Sequence, residues 1–227
     1  MREITMDTTT PSAPTPRATA PSPTEPSATA ATPPVTLAPK RPSAARTRLI
    51  DSATRLFYEE GIHAVGVDRI IDEAAVTRAT LYKQFGGKEN LVLAYLRNED
   101  EMLRAMFAEA GAAVTDPGSL VDAVIDGIAA DIRLRHTRGC PFINAAAEYP
   151  DAEGAVRQLI DEHREWFRST LRAVAEGAGL DEPDDVAASL VLLRDAALVG
   201  GYLDGEGRVS PAFERTARAV IASHRSL

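Results

Sequence analysis

Between Val76 and Leu91 the chain reads VTRATLYKQFGGKENL. On a helix, Thr77, Arg78, Thr80, Tyr82 and Lys83 would offer hydroxyls, a phenol and two cations within two turns, and Lys88 follows five residues on. These are the side-chain types that donate to phosphate oxygens and read base edges in a duplex groove. Ala79, Leu81 and Phe85 are small or apolar and suit the side turned inward, while Gln84 reads as a solvated face residue. Thr77 has the type and place of an N-cap. Gly86-Gly87 ends the segment, so Lys88 opens a new helix whose first-turn N–H groups and own charge favour an anion.

Catalytic and metal chemistry find no comparable support. The chain has one cysteine and four histidines, scattered without a CxxC or HxxxH spacing, so neither a metal site nor a disulfide framework is expected. There is no G-x-S-x-G elbow, no phosphate-cradling glycine loop and no triad, so no catalytic residue and no cofactor is expected. The lone cysteine and the lack of an apolar leader suggest a cytoplasmic protein, and no membrane-length apolar window is expected.

A net charge of -8 argues superficially against nucleic acid as a partner, yet the charge is uneven. Residues 40–90 carry nine basic against seven acidic side chains, whereas residues 91–227 carry 14 against 23. All three lysines, Lys40, Lys83 and Lys88, lie in the basic block. An average charge hides a basic face of this kind.

These residues must be held by helices, since the chain is rich in alanine and leucine and strand-like alternation is scarce. Residues 1–42 are dominated by Pro, Ala, Thr and Ser and read as a disordered tail, in which Lys40 and Arg41 could graze a phosphate. Order is expected from Ser43, an N-cap, with Leu49, Ile50, Ala53, Leu56 and Phe57 on one stripe and Gly61 as the stop. VDRIIDEAA makes a short second helix before the segment at Thr77, so two short helices and a tight turn follow a longer support. A long helix from Lys88 to about Gly111 comes next, then helices near 117–136, 141–149, 152–177, 183–204 and 211–224. The helix near 183–204 is apolar on more than one side and is expected to face a partner as well as its own core.

The text of residues 44–96, and VTRATLYKQFGGKENL most of all, resembles the TetR family of bacterial transcriptional regulators, whose third helix reads T/S-x-x-T-L-Y-x-x-F before a K-E/D-x-L start. The resemblance implies an all-α protein with an N-terminal three-helix helix-turn-helix head, residues 43–88, and a larger C-terminal bundle, residues 89–227, that binds an effector and forms the homodimer. It implies a repressor released from a palindromic double-stranded operator by a small molecule. By the same resemblance Thr77, Arg78, Thr80, Tyr82 and Lys83 are the DNA-reading positions, with Lys88 on a phosphate. The run GCPFIN is similar to a pattern in a subset of the family, which places Cys140, Phe142 and Asn144 at the border of the effector cavity.

His163 and Trp166, three apart on one long helix, are candidates for the same cavity, with core packing the favoured reading of Trp166. The favoured reading of Cys140 itself is a buried thiol. Its alternative is a redox or electrophile sensor, with His136 and Arg138 near in sequence. Two positions depart from the family pattern. Ala75 stands where glycine is common, and there an accommodated turn is expected rather than a strained one. Val65-Gly66 replaces the usual hydroxyl cap of the second helix.

Overall fold

The computed structural model describes residues 43–225; the N-terminal segment read as a tail, with Lys40 and Arg41, lies outside them. Among the described residues there are nine α-helices and no strand. Helix α1 (Ala44–Glu60) starts on Ser43, whose hydroxyl accepts from the Arg46 N–H at 3.2 Å, and stops at Gly61 with φ 93°. It buries Leu49, Ala53, Leu56 and Phe57 against α2 (Val67–Glu73) and α3 (Arg78–Phe85). Ile70 and Leu81 complete that small core with no exposed surface.

Helix α4 (Lys88–Ala113) leaves the head and runs about 39 Å, at 1.5 Å per residue. It enters a bundle of α5 (Pro117–Leu134), α6 (Pro141–Glu148), α7 (Ala155–Gly177), α8 (Pro183–Asp204) and α9 (Glu206–Ser223). Within the bundle α8 lies between α7 and α9, and α5 packs on α9. Asp116 and Pro117 start α5 as cap and first residue, the acidic oxygen accepting from Ser119 N–H at 2.8 Å. The head with its helix-turn-helix and the C-terminal helical domain therefore have the expected all-α arrangement.

Three expectations need correction. The last helix begins at Glu206, not at Pro211. A proline inside a helix removes one bond and crowds the carbonyl four residues back. Here that residue is Gly207, near the helix start, and the turn before Pro211 is held by Ser210, whose hydroxyl donates to the Ala129 carbonyl at 3.3 Å. Helix α8 is, by length and composition, apolar enough to cross a membrane, contrary to the sequence expectation. It is apolar because one side is buried between α7 and α9 while the other leaves Leu192, Val199 and Leu203 exposed. Lastly, Ala75 adopts φ 49°, so the turn between α2 and α3 does require the left-handed conformation that glycine accepts freely.

Candidate functional site

Helix α3 is fixed from both ends. Thr77 caps it, its hydroxyl oxygen accepting from Thr80 N–H at 3.2 Å and lying 2.9 Å from the Thr80 hydroxyl. At the other end Gly86 takes φ 76° and donates its N–H to the Tyr82 carbonyl at 2.8 Å. The Asn90 amide donates to the Phe85 carbonyl at 2.7 Å, and Arg46 of α1 donates to the Gln84 carbonyl at 3.1 Å while lying over the Phe85 ring. Arg48 likewise donates to the Ala74 carbonyl at 3.0 Å, at the end of α2. Cations at helix C-termini also suit the helix dipole. Arg46 and Arg48 were not singled out from sequence; two apart on a helix they point to different sides, a spacing without a pattern to flag them.

With Leu81 and Phe85 buried, α3 turns Arg78, Ala79, Tyr82 and Lys83 to solvent, Tyr82 being 48% exposed. Thr80 is half-buried beside Thr77. Arg78 is paired with Asp68 of α2, an exposed pair that a phosphate could replace at little cost. Lys88 is half-buried, its ammonium 5.9 Å from the Phe57 ring centroid, at the first turn of α4. Gly66 starts α2 without a side-chain cap, as Val65-Gly66 implied. The structure thus gathers Arg78, Tyr82 and Lys83 on one outward face of α3, with Thr77 and Thr80 at its start and Lys88 beyond its end.

The C-terminal domain encloses two adjoining cavities. The larger is walled by Leu103, Met106, Phe107, Val124 and Ile128, with Asp131, Phe167 and Arg194 at one side. The smaller shares Phe167 and Arg194 and is lined by Cys140, Phe142 and His163. Three of the five residues singled out for a cavity therefore meet. Asn144 and Trp166 do not line either space: the Asn144 amide donates to the Arg138 carbonyl at 3.2 Å, and the Trp166 ring meets Phe107 edge-on under the Arg104 guanidinium. Arg194, which sequence reasoning passed over, borders both. The available signal was a lone cation inside DVAASLVLLRDAALVGGYL.

The electrostatics of this region are set by burial. His163 stacks on Phe142 with ring centroids 3.6 Å apart, and burial pushes its pKa down to about 4 despite a 2.7 Å hydrogen bond between Nδ1 and Asp100. The imidazole is then neutral, Nδ1–H faces Asp100, and the buried Nε2 has no partner. His136 behaves oppositely. Burial opposes its charge, but Asp131 at 2.8 Å and Glu99 at 3.4 Å raise its pKa. Asp131 is held below the usual carboxylate range against its own burial by that contact, and its Oδ1 is left without a partner.

Helix α6 joins the cavities to the head. Cys140 caps its start and lines the smaller cavity. Just before it, the Tyr58 hydroxyl of α1 donates to the Gly139 carbonyl at 2.9 Å and accepts from Arg138 N–H at 2.8 Å. At the far end, Glu148 accepts from the N–H groups of Ile62 and His63 at 2.8 and 2.6 Å.

Known proteins share both halves of this arrangement. Residues 49–95 match the family described as bacterial regulatory proteins, tetR family, and residues 118–198 match the tetracyclin repressor-like C-terminal domain. The solved structure of SCO4454, a TetR-family transcriptional regulator from Streptomyces coelicolor, is 41% identical, with a TM-score of 0.78 over 81% of this chain and 97% of that one. The HTH-type transcriptional regulator LmrA of Bacillus subtilis is 28% identical over 70% of this chain and 85% of its own. The HTH-type transcriptional repressor KstR2 of Rhodococcus jostii is also 28% identical, over 74% of this chain and 83% of its own.

Proposed function

We propose that this chain, which belongs to the tetR family of bacterial regulatory proteins and is a DNA-binding transcriptional regulator and not an enzyme, acts as a homodimeric repressor released from a palindromic operator by a small-molecule effector. The observation that carries the reading is the outward face of α3. A capped, clamped helix holds Arg78, Tyr82 and Lys83 toward solvent on the basic part of an acidic chain. Thr77 and Thr80 add hydroxyls at its N-terminal end, where a helix in the major groove meets bases and backbone. Lys88 and the first turn of α4 take a phosphate.

The head, residues 43–88, is read as the DNA-binding unit and residues 89–227 as the effector and dimer unit, working in the cytoplasm. Two heads reading successive major grooves must sit ~34–36 Å apart. An effector that prefers dimers with mis-spaced heads lowers DNA affinity by the factor by which DNA lowers effector affinity. Two elements carry that spacing: α4, which is continuous from Lys88 into the wall of the larger cavity, and α6, tied to the head at both ends. Repression as the output is supported by the name of the relative from Rhodococcus jostii, a repressor.

A second reading rests on Cys140, which opens on the smaller cavity with the Arg194 guanidinium 3.8 Å from its sulfur. In it, an oxidant or electrophile acts on the thiol in place of a bound effector, and Cys140→Ser abolishes that response. The main reading is tested by gel shifts on the DNA upstream of the protein's own gene. Tyr82→Ala and Lys83→Ala each weaken binding roughly tenfold, in line with 1–3 kcal/mol per lost contact. Binding as tight as the parent's from both variants overturns the assignment of α3.

A further inference from the structure

Arg194 is 3% exposed, in the middle of α8. Its one hydrogen bond among the described residues runs from Nη1 to the Cys140 sulfur at 3.8 Å, a weak acceptor. The carboxylate oxygen nearest to it, Oδ1 of Asp195, is 3.7 Å away, too far for a hydrogen bond. The other oxygen of Asp195 is occupied by Arg164 at 2.9 Å. Each nearby carboxylate has another basic neighbour: Asp131 and Glu99 face His136 and Arg135, and Asp100 faces Arg104. Among the described residues Arg194 is thus left with one weak hydrogen bond, a long ion pair to Asp195 and the Phe167 ring 4.9 Å from its guanidinium carbon, few partners for a buried cation.

The same guanidinium borders both cavities, and each offers one further unmatched atom. In the larger it is Oδ1 of Asp131; in the smaller it is Nε2 of His163. Both are acceptors, because Asp131 is ionised and the Nδ1–H of His163 is turned to Asp100. The polar wall thus presents a weakly bonded buried cation and two bare acceptors, at one side of an otherwise apolar space.

Resting on the reading of this space as the effector site, we propose that the effector is an apolar carboxylic acid whose carboxylate pairs with Arg194. Its hydrocarbon body lies among Leu103, Phe107, Val124 and Ile128. Planar guanidinium matches carboxylate through two parallel bonds, which no neutral group reproduces. An amide of the same skeleton leaves the charge of Arg194 uncompensated, and an amine adds a second cation beside it. A hydroxyl close to the carboxylate has an acceptor ready in Asp131 or His163.

Trp166 is the only tryptophan in the chain, and its contact with Phe107, 5.8 Å between centroids, makes its fluorescence a monitor of the larger cavity. The experiment titrates the full chain with octanoate and 4-phenylbutyrate, and with the amide and alcohol of each skeleton. Each carboxylate is expected to bind about tenfold tighter than its amide or alcohol, or more, as suits a hydrogen-bonded charge. Arg194→Met is expected to level the three affinities and to leave the melting temperature of the ligand-free protein equal or higher, since the guanidinium makes only weak contacts in a buried place. Equal affinities of acid, amide and alcohol for the parent overturn the carboxylate but leave the cavity as effector site. If none of the six compounds binds the parent, the cavity reading itself fails. If Arg194→Met binds amides as the parent does but melts several degrees lower, the guanidinium is structural and the proposal is overturned.

Discussion

Ala75 and His163 each hold a conformation or charge state at odds with their type. Ala75 holds φ 49° with a β-carbon that disfavours it. Ala75→Gly is expected to stabilise the protein by about 1 kcal/mol, read as a higher denaturant midpoint; a midpoint unchanged or lower contradicts the strain. His163, with its pKa pushed down to about 4 by burial, binds fewer protons folded than unfolded between that value and the unperturbed one near 6.5. Stability is therefore expected to fall as pH drops through this window, by on the order of 3 kcal/mol, and His163→Phe is expected to flatten the acid limb. Thermal melts from pH 7 to 4 check this, and an acid limb equally steep in the variant rejects it. At this scale the sequence was legible where one side chain acts on its own neighbours: Ser43 and Thr77 were readable as caps. The stacked His163 and the sparsely bonded Arg194 were not, because each depends on elements distant in sequence, and at Ala75 the position was legible but the left-handed φ was not.

Helix α6 is short, yet it touches both the cavity and the head. Its role as a coupler predicts that Glu148→Ala and Tyr58→Phe reduce, several-fold each, the factor by which a releasing ligand lowers DNA affinity. Ligand affinity itself, read from Trp166 fluorescence, stays close to the parent's. Unchanged coupling in both variants leaves α4 as the sole connection. Such long-range ties cannot be seen in sequence: Tyr58 and Arg138 are 80 residues apart, and Ile62 and Glu148 are 86. Helix existence and faces were legible from periodicity and punctuation, as with Gly61, Gly86 and Pro117. Pro211 misled for a physical reason: it marks a first turn far more often than a sixth position, and the glycine four residues back makes this placement tolerable.

For the molecule as a whole, the exposed stripe Leu192, Val199 and Leu203 on α8 is the surface for a second copy in the proposed homodimer. Leu192 and Leu203 are each about 70% exposed in one chain, and that much apolar surface on a helix with its other side buried supports the proposed dimer. The double variant Leu192→Glu, Leu203→Glu is expected to sediment as a monomer and to lose most of its operator affinity, since one head makes half the contacts. The most direct test of the whole account is a DNase footprint of the purified protein on the DNA upstream of its own gene. Two-fold symmetric protection over successive major grooves is expected, weakened steeply by salt and lost when Tyr82 and Lys83 are both replaced by alanine. Discrete protection that persists unchanged in that double variant would contradict it.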